Sequence, residues 1–168
     1  MPVGLKQSSS VVSIGFSVSE SAANTFTQGS VDLNLSPLDR EVFVVLAVNI
    51  DNESPDMIDG LSTAVNSSLT TTSQTAVQSL ANSNCISIAN ERIRADVGVA
   101  VSFTTQALET PPSTLEYIGI IATNDFFVQV QGSNNNVLKG CSGKVYGYRA
   151  VASADIYAAL VQSEVLSA

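Results

Sequence analysis

The feature that most constrains this chain is a two-residue alternation repeated in short runs. Val12, Ile14, Phe16 and Val18 are apolar, and Ser13, Gly15, Ser17 and Ser19 fall between them. Successive side chains of a strand point to opposite faces, so this pattern predicts a strand with one buried face. Val31, Leu33 and Leu35 alternate with Asp32, Asn34 and Ser36, and Val97, Val99, Val101 and Phe103 with Gly98, Ala100 and Ser102. A helix needs apolar residues three and four apart, so these runs carry no helical stripe.

The most apolar run, residues 41–50 (EVFVVLAVNI), is rich in β-branched residues and predicts a central strand. Strict alternation sets Phe43, Val45, Ala47 and Asn49 opposite Val44, Leu46, Val48 and Ile50, with Leu46 and Val48 in the core. Pro37 and Asp39 mark the turn before it. Leu61, Val65 and Leu69 are spaced by four, which predicts a short helical turn near 62–67, followed by a strand over 69–77. Further strands are expected over 84–94 and 97–103. Residues 115–122 and 126–131 read as a hairpin through Thr123, Asn124 and Asp125. Residues 132–136 (GSNNN) make a tight turn, 137–139 begin a short strand, and 142–152 form the last one. Ser153 caps a helix over 154–165 whose Ile156, Tyr157, Leu160 and Val161 form an apolar stripe that needs a packing partner. The expected fold is all-β: a single antiparallel β-sandwich or jelly roll of about eight strands over 1–168, with 1–9 an extended N-terminal segment.

Composition narrows the function classes. One third of the 168 residues are Ser, Thr, Asn or Gln, and only 13% are charged. An ordinary soluble domain carries about a quarter charged residues. Few charges mean little desolvation cost when surfaces meet, which favours assembly. The chain has no His, so Ser-His-Asp and Cys-His nucleophilic arrangements are impossible within it. A carboxylate-pair glycosidase remains open on 15 acidic residues, but the aromatic platforms for sugars are scarce and Trp is absent. No enzyme is expected. The net charge of −8 disfavours phosphate, and Lys6 is the one base among the first 39 residues. No apolar run approaches the roughly 20 residues of a membrane-spanning helix. The start carries no signal-peptide pattern, so cytosolic synthesis is expected, with Cys85 and Cys141 unlinked. A bridge across their 56-residue separation is the alternative.

Candidate sites are few. Asp51, Glu53, Asp56 and Asp59 crowd one loop, and oxygen ligands there suit calcium, although Pro55 breaks the rhythm of an EF-hand. The alternative is a solvated loop after a buried strand. No other cofactor is expected. Arg40, just before the apolar strand, serves either as a charge that guards an aggregation-prone segment or as the partner of a carboxylate at the sheet end. Tyr146-Gly147-Tyr148-Arg149 interleaves aromatics with a base, as a nucleic-acid stacking surface does, or else is a strand with its tyrosines near the core. The glycosylation patterns at Asn34, Asn52 and Asn66 are expected by chance in so Asn- and Ser-rich a chain.

The segments SIGFSVSESAANTFTQG, LSPLDREVFVVLAVNID and YRAVASADIYAALVQSEVLSA give the chain a style that resembles the small single jelly-roll coat proteins of bacterial and environmental viruses. That resemblance implies a capsid or coat subunit assembling with copies of itself, located in the virion and made in the host cytoplasm, with other virion proteins as further partners. Genome-packaging coat subunits of this kind carry a basic N-terminal arm, which this chain lacks. Strong direct nucleic-acid binding is therefore not expected. A tail, tube or decoration protein stays open. So does a surface-layer, pilus or adhesin module. A carbohydrate-binding sandwich would need exposed aromatics.

Overall fold

A computed structural model describes residues 2–107 and 115–166. The strands are β1 (Leu5–Gln7), β2 (Val12–Ser19), β3 (Thr27–Asp32), β4 (Glu41–Asn52), β5 (Thr63–Thr70), β6 (Cys85–Asp96), β7 (Val99–Ala107), β8 (Gly119–Ile121), β9 (Asp125–Ser133) and β10 (Gly140–Ala152), followed by helix α1 (Ala154–Leu166). One sheet runs β2-β10-β4-β8, with β1 pairing the far end of β10; the other runs β3-β9-β5-β6-β7. Every pairing is antiparallel. Without β1 and β7, the two four-stranded sheets have the double Greek-key order of a jelly roll, the all-β sandwich expected. The segment over 1–9 carries β1, which pairs Leu5 with Ala152 and Gln7 with Ala150.

The core lies between the sheets. Phe16, Phe43, Val45, Val48 and Val145 of the first meet Val65, Leu69, Phe126, Val128 and Val130 of the second. The rings of Phe16 and Phe126 meet edge to face, centroids 6.2 Å apart. A second apolar layer covers the outer face of the first sheet. There Val42, Val44, Tyr148, Ala150 and Ala152 pack against Ile156, Tyr157, Leu160 and Val161 of α1. The apolar stripe expected on this helix thus finds its partner within the chain. The first helical bond runs from Tyr157 N–H to the Ser153 carbonyl.

Strict alternation along β4 fails at one point. Ala47 pairs with Tyr146 and Val45 with Gly147, so Leu46 is an unpaired bulge residue. Phe43, Val45, Val48 and Ile50 therefore share the inner face, while Val42 and Val44 lie in the outer layer and Leu46, half-buried, packs against it. Val48 is core as expected; Leu46 is not in the inner layer. Gly147 makes room for this geometry, since a Cβ there would collide with the Val44 carbonyl and the Phe43 ring.

Other expectations are corrected by tertiary pairing. Residues 62–67 are not helical: β5 is hydrogen-bonded on both sides, to β6 and β9. A spacing of four is an even number, so Val65 and Leu69 lie on one face of a strand as readily as on a helix. The strand expected over 69–77 ends at Thr70. The polar segment beyond it folds over the outer face of the second sheet, where Gln74 N–H donates to Gln28 Oε1 and Gln78 N–H to Ser68 Oγ. The expected hairpin of 115–122 and 126–131 is a corner, because β8 belongs to one sheet and β9 to the other. At that corner Asn124 accepts from Leu33 N–H at 2.7 Å and Leu35 N–H at 2.8 Å. The second strand lies at Thr27–Asp32 rather than 31–36, because Asn34 turns the chain at φ 51°. Residues 137–139 form no strand, and the loop that Pro111 and Pro112 predict over 109–114 lies outside the described residues.

Two outcomes test this packing. Leu69→Ala should cost about 2–5 kcal/mol in urea unfolding, and Leu46→Ala, at the bulge, less than half of that. Glu164 anchors the last turn of α1: its carboxylate accepts from Ala122 N–H at 2.8 Å and Thr123 N–H at 3.0 Å. Burial nevertheless holds its carboxyl above the ordinary 4.5. The folded state favours the neutral acid, so the stability from this group is full at acidic pH and is lost as pH rises through the raised value. The urea midpoint should fall more between mildly acidic and neutral pH for the native chain than for Glu164→Gln. Parallel pH profiles would contradict it.

Candidate assembly surface

The β6–β7 hairpin projects beyond the sandwich. From Asp96 to Gln106 every residue is exposed. Asp96 pairs with Val99, and the tip is Val97-Gly98, with Gly98 at φ 77°. That left-handed conformation suits glycine, which explains the tip residue. Among the described residues β7 pairs only with β6, so it is the edge of the second sheet. Its sequence, VAVSFTTQA, has no charge and no proline. Natural edge strands normally carry Lys, Pro or a bulge against unwanted pairing, and β7 has none of these.

The ribbon is apolar where it is most exposed. Val97 is 79% exposed, Val99 68%, Val101 58% and Phe103 49%. Val99, Val101 and Phe103 share one face by alternation. Gln106, on the opposite face, donates to the Ile50 carbonyl at 2.7 Å, so the apolar stripe points away from the first sheet. Met57, itself 73% exposed, lines a cleft of about 230 Å³ with Ile58, Ala95, Val99 and Ala100. Arg92 pairs across the strands with Phe103, Arg94 with Val101 and Asp96 with Val99, so charges flank the stripe on β6.

Two of the four acidic residues considered for calcium, Asp56 and Asp59, are committed to other contacts. Asp56 forms an ion pair with Lys139 at 2.8 Å and accepts from Asn136 N–H and Val137 N–H. The Lys139 bond, first among these, holds its carboxyl below the usual range. Asp59 accepts from Gly98 N–H at 3.0 Å and so props the hairpin tip. Asp51 is exposed at the end of β4, and its charge adds to burial in raising the Glu91 carboxyl. Glu53 is exposed beyond the strand end. Among the described residues no three His, Cys, Asp or Glu side chains are grouped to hold a metal ion.

Other sequence candidates also resolve. Arg40 is exposed at φ 55°, and the ion pair at the sheet end is made by Arg149, 3.6 Å from Glu41. Arg149 also donates to the Leu33 and Asn34 carbonyls, at 2.6 and 2.9 Å. Tyr148 is buried beneath α1, so Tyr146-Gly147-Tyr148-Arg149 presents no joint stacking surface. Asn52 of the second glycosylation pattern is buried and donates to the Ala89 carbonyl at 2.8 Å, which closes it to modification. Sequence reading placed a strand at 97–103 but missed the ribbon. The available signal was the uncharged run after Val97-Gly98.

No protein-family model matches the chain, and no curated protein matches it. Among solved structures, a chain from Desmodium yellow mottle tymovirus is similar at 14% identity, over 91% of this chain and 91% of that one, with a TM-score of 0.32.

Both cysteines are free and buried. Burial pushes the Cys85 thiol up to about 11 and the Cys141 thiol up to about 12. Only thiolate reacts, so at neutral pH neither should be alkylated by iodoacetamide in the folded protein, and both should be in denaturant. Labelling of the native chain at the rate of a free thiol would show the sandwich to be open at those positions.

Proposed function

We propose that the protein is a non-enzymatic virion structural protein, a capsid or coat subunit that assembles with copies of itself. The observation that carries this reading is the exposed, apolar and uncharged edge strand β7 of the second sheet. An apolar stripe of valines and Phe103 beside Met57 is costly to leave in water, at about 25 cal/mol per Å² of apolar surface, and marks a contact surface. The scarcity of charge elsewhere supports the same reading, because amide and hydroxyl surfaces exchange water for partner hydrogen bonds at low cost. The jelly-roll order is compatible with it, since viral capsid domains use this architecture, although lectins and cupins use it too.

In this reading the subunit is made in the host cytoplasm and resides in the virion. Its contacts are mainly with itself and with other virion proteins. Arg92 and Arg94, which share one face of β6, are too few for strong phosphate binding beside a net charge of −8. Light scattering and negative-stain microscopy over rising protein concentration test the proposal. Oligomers or regular particles that persist at high salt are the expected result, because the contact is apolar. A 17.5 kDa species at all concentrations, salts and pH values would overturn it. The same preparations should retain no single-stranded DNA or RNA at physiological salt, and tight, salt-sensitive binding would reassign the surface.

A further inference from the structure

We propose that β7 is a self-complementary docking strand: it pairs antiparallel with β7 of a second copy about a two-fold axis through Val101, joining two second sheets into one. The proposal rests on the assembly reading above and names where and how the copies meet. Its starting point is that among the described residues β7 is hydrogen-bonded on one side only. The free side presents unpaired backbone N–H and C=O groups that another extended strand satisfies.

The identity of the partner follows from symmetry and chemistry. An antiparallel pair of identical strands is isologous, so one edge serves as both halves of the contact. Centred on Val101, the pairing sets Val101 against its own copy and Val99 against Phe103 of the second copy. Aromatic and β-branched residues are favourable cross-strand neighbours. Centring on Phe103 instead would set Val101 against Thr105 and Val99 against Ala107, leaving the apolar face mismatched.

Charge agrees with this register. Within one chain, Arg92 lies beside Phe103 and Asp96 beside Val99. In the joined sheet the two rows flanking the axis therefore run Arg92, Phe103, then Val99 and Asp96 of the second copy, with opposite charges at their ends, while the central row places the two Arg94 residues three strand spacings apart, roughly 14 Å. No like charges face each other directly across the new pairing, because β7 carries none. The tip residue Val97 extends the apolar surface beyond the strand itself.

Engineered cysteines test the register. Paired antiparallel residues have Cα atoms about 4.5–5.5 Å apart, within the range a disulfide spans. Val101→Cys should form a covalent dimer on mild oxidation of the assembled protein. Ser102→Cys, one residue along and not opposite itself, should do so at least about tenfold more slowly. The native Cys85 and Cys141 are buried with raised thiol values and do not compete. Adding Val99→Lys should abolish the Val101→Cys dimer, with an unchanged melting temperature showing that the monomer is intact. Equal cross-linking of the two cysteine variants, or none with either while the native chain still forms particles, overturns the docking strand and leaves the coat reading standing. A native chain that never assembles overturns both.

Discussion

The structure depends on the double hydrogen-bonding of β10. One edge of this strand pairs with β4 from Glu41 to Asn52, and the other with β2 and then β1. The C-terminal strand is thereby the centre of the first sheet, tied to the N-terminal segment on one side. Nearly all of this pairing is distant in sequence, so the sheet forms only after large loops have closed. The outer layer follows from the same strand: Tyr148, Ala150 and Ala152 are the floor on which α1 packs.

Neutral polar side chains carry much of the remaining order. Gln129 is fully buried and its Nε2 donates to Thr70 Oγ1 and Gln28 Oε1, while Ser68 Oγ donates to its Oε1 at 2.6 Å. This network holds the segment after β5 over the outer face of the second sheet. Asn52, at the end of β4, reaches across the sandwich to the Ala89 carbonyl and accepts from Ser67 Oγ at 2.6 Å. Buried amides and hydroxyls are tolerable only when their partners are in place, and they define one arrangement rather than several. Such a chain needs few charges inside, and the few buried carboxylates act as caps. Glu20 accepts from Gly132 N–H and Lys139 N–H as Glu164 does from Ala122 and Thr123.

The same economy leaves the β6–β7 ribbon unusual. In the other described strands the apolar residues are buried or half-buried, Val12 excepted, whereas Val99, Val101 and Phe103 of β7 and Val97 at the tip face solvent. The sandwich does not need these residues, and the double Greek key closes without β7. An element outside the core that is apolar, uncharged and, among the described residues, unpaired along one edge is the surface on which the proposed contact with a second copy rests.

The sequence by itself determined the all-β class, the alternating faces of β2, the course of β6 and β10, and the C-terminal helix with its apolar stripe. Those are local properties, since period two and period 3.6 are written in neighbouring residues. The tertiary structure alone decided the rest. A spacing of four at Leu61, Val65 and Leu69 satisfies both a helix and a strand, and only pairing on both edges of β5 chose the strand. The bulge at Leu46 follows from the match between β4 and β10, which alternation within β4 cannot express. Whether β8 and β9 form a hairpin or a corner depends on which sheet each joins. Val99, Val101 and Phe103 have the alternation of a core-facing strand, and nothing local tells that their face of the second sheet is turned away from the first. Burial depends on what lies opposite a face, and that is settled only when distant segments have packed.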